Sequence, residues 1–217
     1  MKSLILLSGG LDSTVALAIA LADGRECYTL SFDYGQRHKV ELESAKAIAA
    51  HYCVPNQIIC IDPTPFSKSS LVNLTLKVPQ NRSAHDIVVS QIPNTYVPGR
   101  NTLFLAYALS IAEALEAQEI VIGANAMDAS PYPDCRPAYF TAFQGLANVA
   151  TKQAVENSGP KIAAPLLFWD KAQIVKKGKA LNAPLEMTFS CYSPSNNEPC
   201  GGCDACVLRD SLKNMYF

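Results

Sequence analysis

Short apolar runs of strand length alternate along this chain with longer segments in which apolar residues recur every three to four positions. The strand-length runs are residues 2–7, 27–32, 57–61 and 119–123. The helical spacing predicts helices over residues 12–23, 38–52, 101–116, 137–157 and 171–181. Strands that alternate with helices indicate an α/β protein: a Rossmann-like parallel sheet with helices on both faces.

Residues 62–100 interrupt this alternation. Five prolines punctuate the stretch, and only residues 71–78 and 87–89 have the composition of a strand. Loops this long inside a compact domain are more often functional or partner-bound than idle.

A glycine-rich loop joins the first predicted strand to the first predicted helix. It reads Ser8-Gly9-Gly10-Leu11-Asp12-Ser13-Thr14. The glycines allow the backbone to approach an oxyanion, and the unpaired N–H groups at the start of the helix point toward it. The loop has no lysine, so it is not the GxxxxGK[ST] loop that grips β- and γ-phosphates. It predicts a binding site for the phosphates of a nucleotide.

Polar residues also follow the second predicted strand. Tyr34, Gln36, Arg37 and His38 lie within five positions there, and they are candidates for substrate contact. Ligands of open parallel sheets bind outside the carboxyl ends of the strands, so this turn and the glycine loop are expected to meet at one cleft. The alternative is a helix-entry turn with solvated side chains.

Further charged residues lie beyond residue 97. Arg100 begins a predicted helix, where a guanidinium fits two-point binding of phosphate or carboxylate. Asp128, Asp134 and Arg136 stand in the next polar loop, where the acids could hold Mg²⁺ or accept hydrogen bonds from a base. Lys171 is a second candidate cation for phosphate. As isolated residues, all of these would be ordinary surface charges.

Four of the eight cysteines form a C-x8-C-x2-C-x2-C array near the end of the chain. Four thiolates suit a tetrahedral zinc ion with no open coordination position, which is a structural site. The predicted ligands are Cys191, Cys200, Cys203 and Cys206. An iron–sulfur cluster and a redox-active CxxC pair are the alternatives. The array suggests a small zinc-binding segment, residues 186–217, packed on an α/β domain of residues 1–185.

The composition and charge of the chain indicate which kinds of molecule it is expected to bind. Of the 217 residues 49% are hydrophobic and 17% charged, as in a well-buried globular protein, and the formal net charge is −1. That balance gives no drive toward nucleic acid, so no direct nucleic-acid partner is expected. No apolar run approaches the roughly 20 residues of a membrane span, and the chain opens with a strand pattern instead of a signal peptide. We therefore expect a cytoplasmic protein with no membrane partner.

Taken together, these motifs resemble the 7-cyano-7-deazaguanine synthase family of the PP-loop ATP pyrophosphatase superfamily. The resemblance spans nearly the whole chain and rests on LSGGLDSTVA (7–16), FDYGQRHKVE (32–41), VPGRNTLFL (97–105), YPDCR (132–136) and the cysteine array. The first motif is general to the superfamily, whereas YGQRH, YPDCR and the cysteine spacing are far more restrictive. Pro131 departs from the glycine expected before YPDCR.

The resemblance implies a fold, a reaction and a set of site residues. It implies ATP with Mg²⁺, ammonia and 7-carboxy-7-deazaguanine as reactants, cleavage of ATP between the α- and β-phosphates, a structural zinc and a homodimer. The catalytic residues would be Asp12, Ser13, Arg100 and Lys171. The implied ATP contacts are Leu7, Ser8, Gly9, Gly10, Leu11, Asp12, Ser13, Thr14, Val15, Ala16 and Leu17. The implied substrate contacts are Tyr34, Gln36, Arg37, His38, Arg100, Asp128, Asp134 and Arg136.

Three rival functions are compatible with parts of the chain. A tRNA-modifying PP-loop enzyme of the thiolase type would use cysteine sulfur chemistry, and it would need a basic RNA-binding surface. Another amide-forming PP-loop ligase would share the loop but not the substrate. A non-enzymatic adaptor stabilised by zinc would explain the cysteine array but leave the glycine loop without a purpose.

Overall fold

The computed structural model describes residues 1–83, 86–87, 92–129 and 132–212, apart from the side chains of residues 128 and 129. Within these ranges, five parallel strands form one sheet in the order β3-β2-β1-β4-β5. The strands are β1 Lys2–Leu6, β2 Glu26–Asp33, β3 Asn56–Cys60, β4 Glu119–Val121 and β5 Lys161–Ala163. The predicted parallel α/β fold is confirmed.

Helices connect the strands and cover both faces of the sheet. They are α1 Leu11–Ala22, α2 Val40–His51, α3 Arg100–Leu115, α4 Ala126–Ala129, α5 Pro137–Ala147, α6 Lys152–Glu156, α7 Lys171–Ala180 and α8 Asp204–Asp210. Short 3₁₀ turns lie at Thr64–Phe66, Pro133–Cys135 and Leu185–Met187. The chain order of the strands reverses between β1 and β4, which opens a crevice at their carboxyl ends.

Two hydrophobic layers follow from the alternation of side chains along β1. Leu4 and Leu6 face the layer that contains α3 and α5. Ile5 and Leu7 face the layer that contains α1, α2 and α7. Because β1 lies between these two layers, it carries apolar residues on both faces instead of on one.

Several predicted elements differ from those in the structure. The helix predicted over 137–157 is two helices, because the Thr151 hydroxyl accepts a hydrogen bond from the Ala154 N–H at 3.1 Å and starts α6 afresh. Residues 71–78 are turns, not a strand. Of the run 87–89, Ile87 lies in a helical turn, and the other two residues lie outside the described part of the chain. Strand β5 and helix α8 were not predicted, because each is too short to show a regular spacing of apolar residues.

The cysteine-bearing segment packs on the α/β domain and on the long loop. The Phe189 N–H donates to the Gly9 carbonyl at 3.0 Å, and the Asn81 N–H donates to the Gly202 carbonyl at 2.7 Å. Arg82 pairs with the carboxylate of Asp204, the first residue of α8. The division at residue 185 stays a prediction. In the described part of the chain, no helix is both long and apolar enough to cross a membrane.

The Arg82–Asp204 pair yields a stability prediction. Asp204 is buried, with 6% of its side chain exposed, so Arg82→Gln leaves its carboxylate short of a charged partner. We expect the free energy of unfolding to fall by about 2–3 kcal/mol, measured by urea denaturation. Lys46→Gln is the matched control, because its partner Glu43 is 72% exposed. That change should cost no more than about 0.5 kcal/mol. Equal losses for the two variants would contradict the structural role of the Arg82 pair.

Candidate active site

A cavity of about 280 Å³ opens at the carboxyl ends of the strands. Its floor is made by Leu6, Leu30 and Ile122 from the ends of three strands. The glycine loop and the first residues of α3 form two of its sides. The cysteine-bearing segment closes a third side with Ser190, Tyr192 and Arg209. Residues from distant parts of the chain therefore converge where an α/β sheet binds ligands.

The glycine loop is held in shape by its own hydroxyl groups. The Ser8 N–H donates to the Ser13 hydroxyl at 3.2 Å, and the two serine hydroxyls lie 3.0 Å apart. The Thr14 hydroxyl is buried and donates to the Gly10 carbonyl at 2.8 Å. Gly10, the residue before α1, has no side chain that could cap the helix, and the N–H groups at the start of any helix have no intrahelical partner. This is the arrangement that binds an anion.

Gly9 allows the loop to lie directly against α2. Its φ of +86° belongs to the left-handed region, and a Cβ built on it would stand 2.1 Å from the carbonyl oxygen of Glu41. Only a residue without a Cβ fits there. The first turn of α2 is therefore held against the predicted phosphate-binding loop.

Asp12 and Lys171 meet across 159 residues of sequence. The Lys171 ammonium donates to Oδ2 of Asp12 at 2.6 Å, with about a fifth of each side chain exposed. The other oxygen, Oδ1 of Asp12, is buried and forms no hydrogen bond within the described part of the chain. The structure thus places a predicted cationic side chain and a predicted acidic side chain in contact beside the glycine loop.

Arg100 is held in place at the start of α3. Its guanidinium donates to the Tyr34 hydroxyl at 3.3 Å. The next residue, Asn101, donates its N–H to the Asp134 carboxylate at 3.0 Å and its side-chain amide to the Asp134 carbonyl at 3.0 Å. Burial by itself would lower the pKa of Arg100. The Tyr34 phenol acts in the opposite direction, and the pKa of the guanidinium lies above its ordinary value. Asp134 thus lines the cavity while capping the helix that carries Arg100.

Two residues of the YGQRH turn use their side chains to hydrogen-bond the backbone, one within the turn and one in the long loop. The Gln36 side chain accepts from the Tyr34 N–H at 2.8 Å and donates to the Phe32 carbonyl at 3.0 Å. The Arg37 guanidinium donates to the carbonyls of Asn73 and Leu76 at 2.9 and 3.0 Å. Gln36 reaches the cavity wall, whereas Arg37 braces the long loop behind it.

His38, which is buried, and Glu41, which is partly buried, form a polar pair on the cavity wall. Nε2 of His38 lies 3.6 Å from a carboxylate oxygen of Glu41. Burial, reinforced by Arg100 and Arg37, lowers the pKa of His38 to about 3, so the imidazole is neutral near pH 7. Burial raises the pKa of Glu41 to about 8, although the Arg100 guanidinium acts in the opposite direction. Sequence reasoning missed Glu41; the i,i+3 spacing from His38 was the available signal.

Aromatic rings make up much of the remaining wall. Phe32 and Phe104 stack with their centroids 4.0 Å apart, and the Tyr96 and Tyr132 rings lie nearly parallel at 6.2 Å. The aromatic residues that line the cavity are Phe32, Tyr34, Tyr96, Phe104, Tyr132 and Tyr192. Such walls suit a planar, aromatic ligand.

The four cysteines of the array come together as predicted. Their sulfur atoms all lie within 4.8 Å of one another, a cluster that could hold a metal ion. Backbone N–H groups of Tyr192, Cys200 and Cys203 donate to sulfur atoms of the cluster at 3.3–3.4 Å. The Cys191 thiol donates to Cys203 and lowers the pKa of that residue to about 5, which favours a thiolate.

The structure brings many of the predicted site residues to the cavity. Those on its wall are Leu7, Ser8, Gly10, Leu11, Asp12, Ser13, Tyr34, Gln36, His38, Arg100, Asp134 and Lys171. Those that do not line it are Gly9, Thr14, Val15, Ala16, Leu17, Arg37 and Arg136. Val15, Ala16 and Leu17 are core residues of α1. Asp128 lies in α4, its side chain outside the described part, and Pro131 lies outside it altogether.

Comparisons with known proteins agree with the family resemblance that the sequence motifs indicate. The family model described as queuosine biosynthesis protein QueC matches residues 2–215. A protein from Leptospira interrogans named 7-cyano-7-deazaguanine synthase is 48% identical over 96% of this chain and 84% of its own length. A protein of the same name from an Anaeromyxobacter species is 48% identical over 96% of this chain and 89% of its own. Among solved structures, the tRNA thiolase NcsA from Methanococcus maripaludis shares the fold, with a TM-score of 0.50 at 14% identity, covering 100% of this chain and 67% of that one.

The contact between Gly9 and Glu41 generates a second prediction. Gly9→Ala must push the loop away from α2, so we expect a loss of thermal stability and of nucleotide binding. Gly24→Ala is the matched control: Gly24 has a φ of +73°, but a Cβ there meets nothing within 4 Å. The control should lose about 1–2 kcal/mol, the cost of left-handed backbone alone. Equilibrium unfolding of both variants measures the difference, and equal losses would show that the close approach at Gly9 is unimportant.

Proposed function

The chain belongs to the queuosine biosynthesis protein QueC family, and on that premise we propose that it converts 7-carboxy-7-deazaguanine and ammonia to 7-cyano-7-deazaguanine at the expense of ATP. The observation that supports this most strongly is the convergence of the glycine loop, Lys171 and Arg100 on one cavity with aromatic walls. The family assignment favours this reaction over a tRNA-modifying one.

The first chemical problem is the leaving group. Ammonia cannot displace oxide from a carboxylate, so one carboxylate oxygen must first become part of a better leaving group. Attack of that oxygen on the α-phosphorus of ATP forms an acyl adenylate and releases pyrophosphate. The N–H groups at the start of α1 would bind the phosphates. Lys171 and Arg100 would stabilise the charge that develops.

Magnesium fits the carboxylate at the loop. Oδ1 of Asp12 is buried and receives no hydrogen bond from the described residues, and a carboxylate oxygen is a ligand that Mg²⁺ prefers. When bound with ATP, the ion would neutralise phosphate charge. Asp12 would then hold the ion through one oxygen and orient Lys171 through the other.

The reaction needs two activations because two oxygens are removed. Ammonia attacks the acyl adenylate, the new C–N bond forms, and AMP leaves with one carboxyl oxygen. The amide oxygen is adenylated in the same way with loss of one N–H proton, and departure of AMP with loss of the second N–H proton leaves the nitrile. No covalent enzyme intermediate is needed, so Cys135 needs no role as a nucleophile.

Recognition of the heterocycle would fall to the aromatic wall. A deazapurine is flat and apolar on its faces, and stacking on tyrosine and phenylalanine rings buries those faces. Tyr34 would serve twice, because its ring lies on the wall and its hydroxyl accepts from Arg100. Arg37 and Arg136, which do not line the cavity, are the weakest of the predicted substrate contacts.

Zinc fits the cysteine cluster. Zinc–sulfur bonds of about 2.3 Å require sulfur atoms roughly 3.8 Å apart, close to the spacing of a cluster whose members all lie within 4.8 Å. When bound, zinc would supply structural stabilisation and no chemistry, because four sulfur ligands leave it no open position. The homodimer, the cytoplasmic location and the lack of a nucleic-acid partner stay predictions.

How ATP is consumed tests the reaction directly. With acid labelled by ¹⁸O in the carboxyl group, we expect the label in AMP, pyrophosphate as the other product, and two ATP consumed per nitrile. The amide should be accepted as a substrate and should require one ATP. Mass spectrometry of the products measures all three outcomes, with unlabelled acid in labelled water as the control. ADP and phosphate as products would contradict the proposed use of the loop.

Metal content tests the zinc proposal. We expect about one zinc per chain by elemental analysis, and Cys203→Ser should lower both the zinc content and the melting temperature, because three ligands hold the ion poorly. Cys53→Ser is the matched control, since Cys53 is exposed and outside the cluster. Iron in place of zinc, or unchanged stability on removal of the metal, would overturn the assignment.

A further inference from the structure

Two polar groups on the cavity wall have unused hydrogen-bonding capacity. Nδ1 of His38 is buried and has no hydrogen-bond partner among the residues that the structure describes. The Glu41 carboxylate lies 3.6 Å from Nε2 of the same ring, which is longer than a hydrogen bond. Buried polar atoms are paired in most native structures, so unpaired groups at a cavity point to a ligand.

These two groups lie close to the reaction centre of the proposed function. The Glu41 main chain packs against Gly9 of the phosphate-binding loop. The His38 ring lies between two aromatic rings of the wall, with centroids 6.5 Å from Tyr34 and 6.2 Å from Tyr192. The pair is thus placed between the nucleotide loop and the proposed site for the heterocycle, where the activated carboxyl group would sit.

We propose that His38 and Glu41 form a binding site for the nitrogen nucleophile, taken up as ammonium. This inference rests on the proposed function and adds a ligand site to it. An ammonium ion offers four N–H donors and one positive charge. The Glu41 carboxyl matches both properties when it is ionised. Its raised pKa leaves much of it protonated near pH 7 in the empty site, and the positive charge of bound ammonium favours the carboxylate. The imidazole nitrogen adds a neutral acceptor. Lysine or arginine at either position would repel the same ligand.

Ammonium must lose a proton before its nitrogen can act as a nucleophile, and Glu41 can accept that proton. Bound ammonium gives one proton to the Glu41 carboxylate and becomes ammonia. The nitrogen lone pair then forms the C–N bond at the carbonyl carbon of the adenylate. The C–O bond to AMP breaks, and AMP leaves with the bonding electrons. The additional proton on the new amide nitrogen passes to water.

The N–H donors that fill this site could instead belong to the ring edge of the deazapurine. Partial reactions separate the two sources. Exchange of labelled pyrophosphate into ATP, dependent on the acid, reports adenylation and requires no nitrogen nucleophile. Amide formation from ammonium chloride reports the later step. A wild-type enzyme without acid-dependent exchange would refute the proposed function itself.

The test compares Glu41→Gln with the control Glu43→Gln, which lies on the same helix but is exposed. For Glu41→Gln we expect acid-dependent exchange within about twofold of wild type. The KM for ammonium should rise roughly tenfold or more, as expected for loss of a charge-assisted hydrogen bond. Hydroxylamine, which is largely uncharged at neutral pH, should still trap the adenylate as a hydroxamate at a near wild-type rate. Glu43→Gln should behave as wild type throughout.

The opposing results are equally specific. An unchanged KM for ammonium would overturn the proposal, and so would a raised KM for the acid in the exchange reaction, which would assign the pair to the heterocycle. If Glu41→Gln does not fold, as judged by circular dichroism, His38→Asn provides the decision. It should retain exchange and raise the KM for ammonium several-fold, and a parallel loss of both reactions would contradict the proposal.

Discussion

The site depends on the close contact between Gly9 and the first turn of α2. On one side, the left-handed backbone of Gly9 leaves room for the Glu41 carbonyl. On the other, the Gly9 carbonyl accepts the N–H of Phe189, just before the cysteine array. Three parts of the chain therefore meet at a residue that has no side chain. A Cβ at this point would push the glycine loop away from α2.

The cysteine segment supports the cavity in addition to its own fold. Ser190, Tyr192 and Arg209 contribute to the cavity wall, and Arg82 ties the long loop to α8. That loop leads through Thr95 and Tyr96 of the wall to Arg100. A metal bound by the four cysteines would therefore act on the site through packing, because the same segment supplies part of the cavity wall.

The fold could be predicted from the sequence because each of the main strands is an apolar run that ends at glycine or polar residues. The glycine loop and the cysteine array could be predicted because their residues are close in sequence. Contacts between distant residues could not. The pairing of Asp12 with Lys171 depends on how α7 packs beside α1, and the roles of Gln36 and Arg37 depend on which carbonyls surround them. Glu41 was overlooked for a related reason: a glutamate in the first turn of a helix ordinarily has a solvated carboxylate, and only the tertiary fold buries it.

The cavity places cationic side chains beside a glutamate and a neutral histidine. Lys171 and Arg100 lie on the wall together with the phosphate loop, where negative charge would accumulate during adenylation. A cationic nucleophile needs the opposite environment within the same cavity. The low pKa of His38 supports this, because burial and the neighbouring arginines keep its imidazole neutral at physiological pH. A protonated histidine there would repel ammonium and compete for Glu41, whereas the neutral ring leaves a lone pair available. Arg100, which would stabilise phosphate charge, thus also helps to keep the adjoining acceptor uncharged.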